Sequence, residues 1–344
     1  MKKLLLFLAG AMMLAACRET TKLPRAEATE AQKESFDKMF PYVWDDGTNE
    51  LHAALVVQDG KVIYERTDPA HSIDQKHVMW SVSKTFTATA IGFAVQDGLL
   101  RVDDRMVDII GDLCPPERPQ WMDEITVHHL LTMSSGLSTT EPGGENGLKE
   151  DWARELLALP MHFRPGEYFE YNSMGSYILS VILTRVTGER VDNYLGHKLF
   201  KPLGITDWWW DASPQDFSAG GWGLFISAES LAKMGMFFLQ KGVWNGKRLL
   251  GEDWFAEAMS PQIMQYRNKL TTPEEIASVA DNDWQHGYGY QMWCCTHDCY
   301  RLDGAWGQFC VIIPEKNAVV VLLSHTTRLA YELKGVWEYS LPVL

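Results

Sequence analysis

A serine followed three residues later by a lysine is a spacing that can make a nucleophile. On a helix, residues i and i+3 share a face, so the lysine amine meets the serine hydroxyl. A lysine whose pKa is lowered by burial can then accept the serine proton and leave a reactive oxygen. The chain carries this spacing at Ser35–Lys38, Ser81–Lys84 and Ser230–Lys233. Ser35–Lys38 lies close to the N-terminus and Ser230–Lys233 on a charged amphipathic stretch, and both read as solvated helix faces. Ser81-Val82-Ser83-Lys84 opens a helical run of Thr, Ala, Ile and Phe with no further charge until Asp97. A lysine at the head of such a run is costly unless it has a task or a partner. The simpler alternative is a capping Ser81 with Lys84 reaching the surface. Gly-x-Ser-x-Gly, His-Glu-x-x-His, the phosphate-binding Gly-x-x-x-x-Gly-Lys and EF-hand loops are all missing from the chain.

The elements that must position Ser81 and Lys84 follow from periodicity. Leu51–Gln58 and Lys61–Arg66 are β-rich runs joined by Asp59-Gly60, a two-residue hairpin signal. Ser81–Val95 reads as a helix, with Gly98 beyond its end. Residues 105–240 are mostly helical, clearest over Val127–Met133, Ser176–Val186 and Ala228–Gln240. Strand patterns return at Gly289–Trp293, Tyr300–Leu302, Phe309–Ile313 and Ala318–Ser324, and a closing helix at Leu329–Tyr339 presents Leu333, Val336 and Trp337 on one face. Strands at both ends of the chain with helices between predict an α+β fold. One antiparallel sheet is built from both ends and flanked by helices, and a mostly helical region is inserted at about 105–240.

Composition narrows the partners. The 344 residues are 46% apolar and 22% charged, which excludes a disordered or collagen-like chain. A net charge of -14 repels phosphate backbones, so nucleic acid is not expected as a partner. Met1-Lys2-Lys3 and an apolar run to Ala16 read as a secretory signal too short to span a bilayer. Leu14-Ala15-Ala16-Cys17 resembles the lipobox of bacterial lipoproteins, which implies cleavage before Cys17 and lipid attachment there. The expectation is a signal peptide over 1–16, a lipidated stalk over 17–40 and one folded unit over 41–344. The unit would be held in the bacterial cell envelope, extracytoplasmic, and would touch the membrane only through its anchor. Disulfides are permitted in that compartment, but Cys114, Cys294, Cys295, Cys299 and Cys310 are odd in number.

Six segments together resemble the serine β-lactamase and penicillin-binding-protein superfamily, in its class C β-lactamase and esterase branch. They are Trp80–Thr85, Ile125–Leu137, Pro165–Ser173, Gly220–Leu224, Tyr288–Trp293 and Asp303–Gln308. The resemblance implies a β-lactamase/transpeptidase-like fold with its site in the seam between sheet and helices. It implies Ser81 as nucleophile, Lys84 as general base and Tyr171 as the tyrosine of the family's Tyr-x-Asn motif, shuttling a proton to the leaving group. A phenol beside Lys84 is expected to ionise more readily than its reference value of about 10. This chain reads Tyr171-Asn172-Ser173, so Ser173 stands where the family has asparagine. The family's Lys-Thr-Gly corresponds to Leu302-Asp303-Gly304, which lacks the lysine, and Arg301 is adjacent but alternates to the other strand face. By the same resemblance substrate meets Ser173, Arg301, Asp303 and Gly304, and the N–H groups of Ser81 and Ala305 form the oxyanion hole.

Trp80, Trp222, Trp293 and Trp306 fall inside these segments, as pocket lining or as core. Cys294-Cys295-Thr296-His297-Asp298-Cys299 makes a poor tetrahedral cage, and neither metal nor cofactor is expected. The function expected is acyl transfer from Ser81 on a small ester, amide or peptide substrate, with esters leading because the third motif lacks its lysine. A D-amino-acid peptidase, a weak β-lactamase and a non-catalytic binding lipoprotein are the alternatives.

Overall fold

The computed structural model of this chain describes residues 22–43 and 50–344. Residues 1–21, including Cys17 and the segment expected as a signal, lie outside the described residues.

The stalk expected over 17–40 is, in its described part, packed structure. Val62 N–H donates to Pro24 O at 2.8 Å and Ala26 N–H to Val62 O at 2.9 Å, which adds residues 24–26 to a sheet edge. Helix α1 (Glu30–Val43) follows. Thr29 and Gln32 cap it reciprocally: Gln32 N–H donates to Thr29 Oγ1 and Thr29 N–H to Gln32 Oε1. Phe36 and Met39, three apart on one face, are fully buried, which is why the segment folds rather than floats.

Next comes the hairpin β1 (Glu50–Gln58) and β2 (Lys61–Thr67). Asp59 and Gly60 both take positive φ, 51° and 75°, as a two-residue turn of this hand requires. Short strands β3 (His77–Val78), β4 (Trp209–Trp210) and β5 (Leu224–Ile226) form a small sheet in the order β3-β5-β4, and β6 (Val243–Trp244) and β7 (Lys247–Arg248) a hairpin. The chain returns through β8 (Trp293–Cys294), β9 (Tyr300–Gly304), β10 (Gln308–Ile313) and β11 (Ala318–His325). The main sheet runs β2-β1-β11-β10-β9-β8, antiparallel throughout. The expected sheet from both ends of the chain is therefore present.

Each face of that sheet buries a core. The inner core lies between the sheet and the Ala228–Leu239 helix, which packs on β1, β10 and β11, and it continues into helix α2 (Ser83–Gln96), which packs against the Ser173–Thr187 helix. The outer core joins α1 to the closing helix through Phe36, Met39, Leu333 and Val336. Alternation along each strand divides the residues between the two: Leu302 and Cys310 face inward, Phe309 and Val311 outward. The run Gly289–Trp293 is not a strand over most of its length, because Gln291 sits at φ +55° and turns the backbone.

Candidate active site

Strand β3 delivers the chain into one 3-10 turn, Trp80–Val82, and then into α2. Trp80 has φ +45°, a conformation that costs a bulky residue energy and persists only where its surroundings hold it. Those surroundings are β5: Met79 N–H donates to Leu224 O at 2.7 Å, and Leu224 N–H donates to Ser83 Oγ at 3.1 Å. Thr85 Oγ1 donates to Gln291 O and Thr87 Oγ1 to Gly220 O, so each buried hydroxyl of the α2 head has a partner. Gln291 in turn donates to Leu130 O and Leu131 O, which makes it the strut between α2 and the helix over Val127–Leu131.

Lys84 is 1% exposed and turns back over its own helix head. Its Nζ lies 2.9 Å from Ser81 Oγ, 3.3 Å from Ser173 Oγ and 2.7 Å from Gly221 O. Burial pushes its pKa down to about 7, and the carboxylates of Glu141 and Asp303 only partly oppose this. A neutral amine has two N–H bonds and one lone pair. The carbonyl of Gly221 and the hydroxyl of Ser173 can take the donors, leaving the lone pair for the Ser81 proton. Gly221 and Glu141 were not picked out as site residues from the sequence. Gly221 stood inside a recognised segment, but its role is a backbone carbonyl, which leaves no side-chain signal.

Tyr171 stacks on Trp293, with ring centroids 5.6 Å apart, and its own centroid is 4.9 Å from Lys84 Nζ. The expectation of easier ionisation is reversed. Burial raises the phenol above its usual range, and the hydrogen bond with Ser81 does not offset it. Tyr171 therefore enters the site as a neutral O–H. Ser173 reaches Lys84 from the first turn of its helix, while Asn172 turns inward. Asn172 Oδ1 accepts from the N–H groups of Met174 and Gly175, and its Nδ2 donates to Leu137 O and Ser138 O. The exchanged pair thus divides two tasks, Ser173 to the site and Asn172 to the helix cap. Asn172→Ala is expected to lower stability by about 1–2 kcal/mol, measured by denaturant unfolding. A melt equal to wild type would remove the cap from the account.

The third motif meets Ser81 through backbone. A Cβ on Gly304 would stand 2.5 Å from Met79 O and 3.4 Å from Ser81 N, so only glycine lets β9 approach the nucleophile turn this closely. Ala305 follows on the exposed turn after β9. Against the expectation that Arg301 meets substrate, its side chain is fully buried. It donates from Nε to Asp303 Oδ2 at 2.9 Å and from Nη1 to Asp283 O and Cys295 Sγ, and it lies over the Trp284 and Trp293 rings at 4.4 and 5.2 Å. Asp303 is spent on the same pair. Burial holds its carboxyl above the usual range even so. Cys114, Cys294, Cys295, Cys299 and Cys310 are free thiols.

An open cleft of about 580 Å³ runs along Tyr171, Phe169, Phe163, Tyr168, Trp284 and Trp293. Trp293 is thus both wall and partner of Tyr171, Trp222 packs on Trp152, and Trp306 is exposed against His325. A larger cavity of about 920 Å³ opens between residues 22–24 and the segments around 201–208 and 240–246, and none of Ser81, Lys84 and Tyr171 lines it.

A sequence model described as Beta-lactamase matches residues 44–339. Protein flp of Staphylococcus aureus (strain N315) is 26% identical over 191 residues, 52% of this chain and 38% of that protein. The chain thus spans about two fifths of the length of that curated relative. A penicillin-binding protein homolog from Caulobacter crescentus superposes with a TM-score of 0.72 at 16% identity, covering 93% of this chain and 99% of the other. EstCE1, described as a hydrolase with promiscuous acyltransferase activity, superposes at 0.69 with 16% identity, covering 89% and 97%. At these identities the two superpositions establish the shared fold.

Proposed function

We propose, from the premise that this chain belongs to the β-lactamase family, that it is a serine hydrolase cleaving uncharged esters through an acyl-enzyme on Ser81. The observation that carries the ester reading is Arg301. The cation of β9, the strand of the third motif, is buried and paired with Asp303, so that strand offers no charge to the carboxylate of a β-lactam or a peptide terminus.

The geometry supports the following chemistry. Ser81 Oγ passes its proton to neutral Lys84 Nζ at 2.9 Å and attacks the ester carbonyl carbon. The oxyanion is held by the N–H groups of Ser81 and Ala305. As the carbon–oxygen bond to the alcohol breaks, the neutral phenol of Tyr171 gives its proton to the departing oxygen and recovers one from Lys84. A water, activated by the same lysine, then hydrolyses the acyl-enzyme. The aromatic cleft beside Tyr171 accepts an apolar acyl or alcohol group. The proposal extends to a lipid anchor at Cys17 in the bacterial cell envelope, resting on Leu14–Cys17. Cys17→Ser should abolish incorporation of labelled fatty acid.

A fluorophosphonate probe should label wild type and leave Ser81→Ala unlabelled. Short p-nitrophenyl esters should be turned over at least tenfold faster, by kcat/KM, than a chromogenic cephalosporin. Equal labelling of Ser81→Ala would remove the nucleophile, and a preference for the cephalosporin would replace the ester reading with a β-lactamase one.

A further inference from the structure

A second constellation lies on the strand side of the nucleophile, outside the acyl-transfer site. His52 on β1, His71 in the loop after β2 and His77 on β3 bring one ring nitrogen each to within 4.8 Å of one another. His52 and His71 stack with centroids 3.9 Å apart, and His77 lies 5.4 Å from both. The backbone is built to put His52 there. The β1–β11 register shifts between Leu51 and Ala53, so His52 is the extra residue of a β-bulge, a device that re-aims a side chain. His52 O also accepts from Asp68 N–H, and Asp68 O from His71 N–H, tying the loop to the bulge.

The second ring nitrogens decide what the first can do. His71 Nδ1 is 2.8 Å from both carboxylate oxygens of Asp68, so it carries the proton and leaves Nε2 with a lone pair. His77 Nδ1 faces Gln75 O at 3.3 Å, which only accepts, and its Nε2 is buried with no partner. His52 Nε2 faces Glu50 at 3.3 Å, and its Nδ1 is likewise buried with no partner. Three imidazoles are therefore each held in one tautomer by an outer oxygen, each with one unprotonated nitrogen left for a ligand. Orphaned buried nitrogens are costly unless something occupies the space between them. Carboxylate or carbonyl behind imidazole is the outer arrangement of metal-bound histidine.

We propose that His52, His71 and His77 bind a divalent transition metal of the zinc class, with solvent at the fourth position. All three residues are partly exposed, which places the cluster near the surface of the fold. Zinc–nitrogen bonds of about 2.0–2.1 Å draw the nitrogens together and fan the His52–His71 stack open, because each lone pair lies in its own ring plane. The ion joins β1, the loop after β2 and β3, four residues ahead of Ser81.

The test uses the chain without a histidine tag, stripped of metal and titrated with Zn²⁺ by calorimetry, with Co²⁺ absorbance as a second probe. Wild type should bind one equivalent and melt at a higher temperature as Zn²⁺ is added. His71→Ala and His52→Ala should lose that equivalent while keeping the circular dichroism of the metal-free protein. Asp68→Asn, which leaves all three ligands in place, should weaken binding about 10–100-fold. If either alanine variant fails to fold, the Asp68→Asn shift still decides. A wild type without a saturable equivalent, alanine variants that retain it, or Asp68→Asn binding as tightly as wild type would overturn the proposal.

Discussion

Lys84→Met is expected to slow acylation of Ser81 by about 10⁴-fold and, near pH 7, to raise the melting temperature. The two effects share one cause. Lys84 is protonated up to about 10.5 in the unfolded chain but only up to about 7 in the fold, where burial disfavours its charge. Between those values the unfolded state binds one more proton than the native state, so stability rises with pH across that window and is lowest at its acid end. At about 1.4 kcal/mol per pKa unit the lysine costs the fold roughly 3–5 kcal/mol at pH 7. Methionine removes that cost but leaves Gly221 O and Ser173 Oγ without their donor, returning about 1–3 kcal/mol. At the middle of each range a net gain of about 2 kcal/mol remains. It should shrink as pH is raised from 7 to 10, because wild type recovers stability and the variant has nothing to titrate. The rate has the matching signature: kcat/KM of wild type for an ester climbs with pH and levels off above about 7, as Nζ loses its proton. The measurements are single-turnover acylation and melts at both pH values. A variant that melts lower at pH 7, or acylates within tenfold of wild type, would contradict a buried, neutral lysine base.

Where the sequence was legible, the physics was local. The Asp59-Gly60 hairpin, the uncharged run after Lys84 and the alternation of β10 and β11 all state their structure within a few residues. The misread parts depend on distant contacts. Helix α1 carries its own capping signal at Thr29 and Gln32, but its buried face, Phe36 and Met39, is meaningful only once the closing helix is in place. Tyr171 sits beside Lys84 as expected, and the sign of its shift failed because a neutral lysine cannot stabilise a phenolate. The aromatic shell of Phe169, Tyr288 and Trp293, drawn from two segments 120 residues apart, decides instead. Asn172 and Ser173 look like an exchanged motif in one dimension. In three, the helix start separates them into a cap and a site residue. His52, His71 and His77 have no periodicity at all. Only the bulge in β1 and the fold of the loop after β2 bring them together.

Arg301→Met should destabilise the protein by about 3–5 kcal/mol, and the loss should depend on pH in a way that separates it from a substrate-binding role. Arg301 has no exposed surface, and it holds Asp303, Asp283 O and Cys295 Sγ while filling the gap between two tryptophan rings. Methionine replaces much of the volume but none of the donors. Asp303 is then a buried carboxylate without its partner, and its pKa, already raised by burial, rises further. A group whose pKa is raised on folding binds more protons in the native state, so the stability it contributes is lost as pH climbs. The deficit of Arg301→Met relative to wild type should therefore be smallest in acid and grow with pH. Arg301→Met with Asp303→Leu removes both charges and should recover most of the loss. Trp293 rests on the guanidinium and carries Tyr171, so the single variant should also lower kcat for neutral and anionic esters alike. A cation serving as a carboxylate receptor would behave differently. Its removal would leave the melt intact and raise KM for anionic substrates alone, and that pattern would return Arg301 to the substrate cleft.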